Sequence, residues 1–333
     1  MQSSAPDTAR RPSAGLDLKV YGPFLALAAL ILLGVLVNPV FLSPGNIINV
    51  LTRTAFIGII AVGMTFVITT GNIDLSVGSM AAFAAGVAIV AMNALAGPLG
   101  SGWAVVLAGV AVALAFSLAA GFLNGILVTK GRIEAFIVTL GTMGIFRSLV
   151  TYLADGGTLT LDSTIRATYR PVYYGGLFGI SYPILLFFAV AAVGALIMYR
   201  TPFGRYCAAI GSNEDVARYS AIKVDRVKLL AFVFQGLCVA LAVIVYVPRL
   251  GSASATTGLL WELEAIAAVI IGGTMLKGGH GRVWGTVAGA VILTLIDNIL
   301  NLTGAISVYL NGAIQGVIII VAVLLQRSGA SRR

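Results

Sequence analysis

Charge is scarce in this chain. Only 10% of its 333 residues are Asp, Glu, Lys or Arg, while 59% are hydrophobic. An average soluble domain carries about 25% charged residues. This chain therefore cannot cover itself with polar surface, and it reads as an integral membrane protein. Cysteine is scarcer still. Cys207 and Cys238 are too few for a disulfide framework, and Cys207 falls in a charged segment expected in the reducing cytoplasm. The single histidine, His280, excludes a His-rich metal site. No Gly-x-x-x-x-Gly-Lys-Ser/Thr loop occurs, so any ATP use belongs to a partner. Paired-carboxylate, Ser-His-Asp, Cys-His and His-Glu-x-x-His arrangements are missing too. Nothing supports catalysis, and neither a metal nor a cofactor is expected in this chain.

What is present is a succession of apolar runs of about 20 residues, the length a helix needs to cross a bilayer. They cover 24–42, 49–70, 75–93, 103–128, 135–153, 181–199, 229–247, 258–277, 283–301 and 306–326. Turn residues such as Pro44-Gly45, Gly71-Asn72, Gly97-Pro98 and Gly278-Gly279 separate them. The 40 glycines suit close helix packing in lipid. The expected fold is an all-α polytopic membrane protein of about ten transmembrane helices with both termini cytoplasmic. With that orientation sixteen Lys and Arg residues lie inside and four outside, as the positive-inside rule requires. The net charge of +9 is scattered between apolar runs, which fits membrane orientation and not nucleic-acid binding. Residues 1–22 read as a cytoplasmic tail leading to an uncleaved first helix. Residues 23–327 form the transmembrane domain, and 328–333 a second cytoplasmic tail.

Four polar interruptions carry what chemistry there is. The longest charged segment, 200–228, holds six basic and three acidic residues. Within it Ser212, Glu214 and Asp215 form a capping-box-like helix start. Val216, Tyr219, Ser220 and Ile222 follow at roughly helical spacing, giving a short helix with one apolar face. It is either an orienting loop or a docking element. The second interruption, Gly71–Gly78, places Asn72, Asp74 and Ser76 inside an apolar stretch. Asp74 is either a cap in an interfacial turn or part of a helix break near a solute path. The third is Trp261-Glu262-Leu263-Glu264, at the expected outer end of a span. Its carboxylates either pair with a basic residue such as Arg147 or Arg249, or meet a polar solute. The fourth is Asp297, Asn298 and Asn301 in the ninth run, either packing glue or a proton relay.

Together these segments resemble the permease subunits of bacterial ABC sugar importers, the family typified by ribose permeases. The resemblance rests on AFIGIIAVGMTFVITTGNIDLSVGS at 55–79 and AFIVTLGTMGIFRSL at 135–149. It rests also on FGRYCAAIGSNEDVARYSAI at 203–222 and ELEAIAAVIIGGTMLKGGHGRVWGTVAGA at 262–290. It runs in order over nearly all of 24–326. The family usually has Ala-Ala where this chain has Val216-Ala217, and Ser-Gly-Ile where it has Ser220-Ala221-Ile222. The resemblance implies a multi-pass protein of the bacterial inner membrane that imports a ribose-like pentose or a related sugar. The same fold carrying a nucleoside, inositol or signalling sugar is the alternative, and a proton-coupled carrier a further one. It implies a second permease chain, two ABC ATPase domains that use ATP and Mg, and an extracytoplasmic sugar-binding protein. ATPase coupling would fall to Gly211, Ser212, Asn213, Glu214, Asp215, Val216, Ala217 and Ser220. Candidate positions along the solute path are Asn72, Asp74, Ser76, Phe136, Trp261, Glu262, Glu264 and Asn298.

Overall fold

The computed structural model describes residues 18–304, with side chains from Tyr21 onward, and scattered positions between 310 and 320. The expected run 306–326 and both expected tails lie largely outside these residues. Helix α1 is Leu18–Val37, and a 3-10 turn, Pro39–Leu42, follows it. Helix α2 is Pro44–Thr69. Ser43 caps it by accepting from the Asn46 amide, and Pro44 takes a position where the missing N–H costs nothing. Helices α3 (Val77–Leu99), α4 (Trp103–Thr129) and α5 (Ala135–Leu153) come next.

Residues 154–181 hold strand β1 (Thr158–Thr160), the short helices α6 (Ser163–Tyr169) and α7 (Pro171–Tyr174), and a hairpin of β2 (Gly176–Leu177) and β3 (Ile180–Ser181). Helix α8 (Tyr182–Arg200) leads into α9 (Pro202–Ser212) and α10 (Glu214–Tyr219). Then come α11 (Val224–Leu250), β4 (Ser252–Ser254), α12 (Trp261–Ile271) and α13 (Val283–Thr303). β1 and β4 pair antiparallel, with Leu159 opposite Ala253.

Seven described helices are long and apolar enough to cross a membrane: α2, α3, α4, α5, α8, α11 and α13. The run 258–277 is not such a span. Its helix α12 has 11 residues, about 16 Å at 1.5 Å per residue, against a hydrocarbon core of about 30 Å. The reason is local. Gly258 and Leu260 take φ of 66° and 67° before it, and Gly273 takes 86° after it, which no helix tolerates. The first run is also displaced, since α1 ends at Val37 and 39–42 form the 3-10 turn.

Helix α2 is the axis of the fold. From Ala55 to Thr69 every residue but Ile57 is buried, as expected of a helix apolar on all sides. It packs against α11, α13, α8 and α12. Small residues set the closest approaches. On α4, a Cβ at Gly121 would meet the Phe232 carbonyl at 2.4 Å, and on α11 a Cβ at Gly236 would meet the Ser117 carbonyl at 2.2 Å. Gly285 and Gly289, one turn apart on α13, press on Gly272 and on the Ala268 carbonyl of α12 in the same way.

The loops divide into two groups. At one end α2 finishes beside 211–212 and 278–279, where the Gly279 amide donates to the Thr69 carbonyl at 3.0 Å. At the other end 93–101, 154–181 and 244–254 meet. There the Tyr169 hydroxyl donates to the Ile244 carbonyl at 2.7 Å, and Asn93 Nδ2 to the Thr160 carbonyl at 2.9 Å.

Candidate functional site

The charged segment folds as two helices meeting at Asn213. Asn213, in extended backbone, caps α10 by accepting from the Val216 amide at 3.0 Å. This corrects the expected start at Ser212. Ser212 instead ends α9, its hydroxyl donating back to the Ala208 carbonyl at 2.8 Å. Glu214 and Asp215 then fill the first turn of α10, where they favour the helix dipole.

Two anchors hold this pair of helices. Glu214 receives Lys228 Nζ at 2.6 Å, from the first turns of α11, and Arg218 Nη2 at 3.0 Å. Burial raises the Glu214 carboxyl, but Lys228 and Arg218 outweigh it and hold the group below the ordinary carboxylate range. The second anchor is Gly211. A Cβ there would stand 2.0 Å from the Thr69 carbonyl and 2.4 Å from the Gly279 amide nitrogen. The end of α9 therefore rests directly on the end of α2 and on the 272–282 turn. Ala217 faces inward and is buried, while Val216 is 59% and Tyr219 91% exposed. An apolar face is thus presented outward by a helix fixed from behind.

The break after α2 builds a buried polar knot. Gly71 turns the chain with φ 81°, and Asn72 Nδ2 donates back to Thr70 Oγ1 at 2.9 Å. Asp74 is fully buried. Its Oδ1 accepts from the Ser76 amide at 2.9 Å and the Ser76 hydroxyl at 2.6 Å. Asn124 Nδ2 of α4 donates to the same hydroxyl at 2.9 Å. These bonds close the start of α3 and fasten it to α4. Among the described residues Asp74 Oδ2 and Asn124 Oδ1 have no hydrogen-bond partner.

Next to this knot lies α12. The Trp261 ring stacks on Phe56, midway along α2, with centroids 6.4 Å apart. The half-helix therefore begins well inside the bundle and not at the outer end of a span. The preceding turn is pressed on α3, since a Cβ at Gly78 would fall 2.2 Å from the Gly258 carbonyl and 2.4 Å from Glu262 Oε2. Arg147 of α5 donates to the carbonyls of Ala255 at 2.5 Å and Thr257 at 2.6 Å. Among the described residues neither Arg147 nor Arg249 forms an ion pair with Glu262. Arg147 instead clamps the 255–260 turn, and Glu264 lies one turn into α12, half-buried.

The remaining sequence candidates lie apart. Phe136 is exposed on the outer face of α5. Asn298 exchanges two hydrogen bonds with Asn46, at 2.8 and 3.0 Å, tying the end of α13 to the start of α2.

Sequence reasoning missed an aromatic cluster that joins the middle of α2 and the start of α12 to α7 and α11. Phe56 lies between Tyr173 and Trp261, Tyr246 meets both Phe56 and Trp261 edge-on, and Arg249 lies 5.8 Å over Phe56 and 6.0 Å over Tyr173. Four elements contribute to it, so no local spacing announces it.

The family model described as branched-chain amino acid transport system / permease component matches residues 46–323. The ribose import permease protein RbsC of Bacillus subtilis is 42% identical over 306 residues, covering 92% of each chain. Its counterpart in Haemophilus influenzae is 40% identical, covering 90% of this chain and 91% of the relative. The xylose transport system permease protein XylH of Escherichia coli is 32% identical, covering 96% and 94%. Among solved structures, one described as an inward-facing conformation of a metal-chelate type ABC transporter superposes with a TM-score of 0.52. It is 15% identical and covers 92% of this chain and 98% of its own, a likeness of fold.

Proposed function

We propose, from the premise that this chain belongs to the branched-chain amino acid transport system / permease component family, a division of labour within the chain and a cargo for it. The chain is a permease subunit of an ABC sugar importer, as relatives at 38–42% identity over nine-tenths of their length indicate. The family description names amino acids, but the full-length relatives are ribose and xylose permeases. We assign a ribose-like pentose as the cargo. Two such chains would form the pathway in the bacterial inner membrane, with two ABC ATPase domains at the 200–228 end and a sugar-binding protein opposite. The positive-inside count supports placing that end and both termini in the cytoplasm.

The observation that carries the coupling role is the outward apolar face of α10, with Val216 and Tyr219 exposed while Glu214 and Gly211 fix the helix behind it. A push on this face reaches α11 through Lys228, and α2 and the 272–282 turn through Gly211. Those are the elements on which α12 and the Asn72–Ser76 break sit, so we place the solute path along that break and 261–264, with Phe136, exposed on α5, on a face that the second chain would close. Two interrupted helices meeting inside a bundle are how transporters commonly build a midplane site. Asn298, engaged with Asn46, we assign to holding α2 against α13.

The test replaces Asn213–Ala217 by a Gly-Ser segment in the reconstituted importer. ATP hydrolysis stimulated by the sugar-loaded binding protein should be lost while membrane insertion persists. Unchanged stimulation would remove α10 from the coupling role. A proton-driven carrier, by contrast, would take up sugar with no ATPase present.

A further inference from the structure

The feet of α4 and α11 enclose a cleft whose lining includes neither Val216 nor Tyr219, the exposed apolar face of α10. The two helices touch at Gly125 and Leu229, where a Cβ on the glycine would meet Leu229 Cδ1 at 2.6 Å. Beyond that contact the chains diverge around a cavity of about 470 Å³. Its floor includes Ile126, Ile222 and Leu229, and Lys130, Lys223 and Arg226 stand at its rim. These three cations are exposed and form no ion pair among the described residues. Arg218 also borders the cleft but is engaged by Glu214 at 3.0 Å and by Asp225, the one acid of the lining, at 3.9 Å. The rim is therefore strongly cationic over an apolar floor. Above it, toward the bilayer, Phe122, Leu123 and Leu230 remain exposed. A lipid-facing apolar strip thus runs into the cleft.

We infer that this cleft binds the headgroup of an anionic phospholipid. The phosphate would be held by Lys130, Lys223 and Arg226, with one acyl chain following Leu123 and Leu230 into the hydrocarbon. Charge complementarity selects an anion, and basic pockets between helices at the cytoplasmic boundary suit such headgroups. The apolar floor selects a lipid over free phosphate, since inorganic phosphate gains nothing from Ile126 or Leu229.

The test is native mass spectrometry of the purified full chain titrated with phosphatidylglycerol or phosphatidylcholine. Phosphatidylglycerol should bind preferentially. The triple variant Lys130→Gln, Lys223→Gln, Arg226→Gln should weaken it on the order of a hundredfold, as three surface charges predict. A control, Arg200→Gln with Arg205→Gln, removes two basic residues outside the cleft and should bind as wild type. Excess inorganic phosphate should not displace the lipid. Should the triple variant melt early, Arg226→Gln alone should show the same loss at smaller size. Equal binding of the two lipids, undiminished binding by the variants, or displacement by phosphate would each overturn the assignment.

Discussion

Ala221 sits in a backbone conformation that suits glycine. It follows the last turn of α10 with φ 60°, and its amide and that of Ile222 close the helix on the carbonyls of Arg218 and Ala217. A residue with a Cβ pays about 1–2 kcal/mol in this left-handed region. Ala221→Gly should therefore stabilise the chain by roughly 0.5–1 kcal/mol, the strain relieved less the extra entropy glycine loses on folding. A thermal melt of the purified protein reads it, and a lower midpoint would contradict the assignment. Glu214 gives a second prediction at this scale. Its folded pKa lies below the ordinary 4.5. Its ion pairs therefore contribute above that pH, and the contribution is lost as pH falls through the depressed value. The gap in melting temperature between wild type and Glu214→Gln should be present at neutral pH and close in acid. A gap that widened on acidification would reverse the sign of the argument.

Helices in this bundle meet where glycine lets backbones touch. Gly236 lies against the Ser117 carbonyl with no room for a Cβ, whereas Gly141 and Gly144 on the open face of α5 have nothing within 4 Å. Gly236→Leu should separate α4 from α11 and cost several kcal/mol through overpacking, read as lost expression or an early melt. Gly141→Leu should leave the melt of the same chain unchanged. Equal effects from the two would mean that packing of this chain does not decide the cost. The same contrast shows what was legible in the sequence. The run 135–153 is helical over those residues because its apolar stretch ends in turn residues at both sides. The run 258–277 is about as apolar but supports only α12. Its early residues fold as a turn against Gly78, held by Arg147, and no local pattern records a partner 110 positions away. Likewise, both Ser212 and Asn213 are able to cap a helix. Only the length of α9 decides between them.

At the scale of the whole molecule, the fold places Ser163 and Ser212 at opposite ends. Ser163 opens α6, which joins the 93–101 and 244–254 segments, and Ser212 closes α9 beside the end of α2. Both are exposed, so each suits a reporter cysteine. The native thiols contribute little background. Cys207 and Cys238 are buried, and burial pushes the Cys207 thiol up to about 12, leaving scarcely any reactive thiolate at neutral pH. With the 200–228 segment inside, as proposed from the distribution of basic residues, a membrane-impermeant maleimide added to intact cells should modify Ser163→Cys and not Ser212→Cys. After permeabilisation both should react. The reverse pattern would turn the molecule over in the membrane and place α10 where no ATPase reaches it. Labelling of both positions from outside would mean that the two ends are not separated by a bilayer at all.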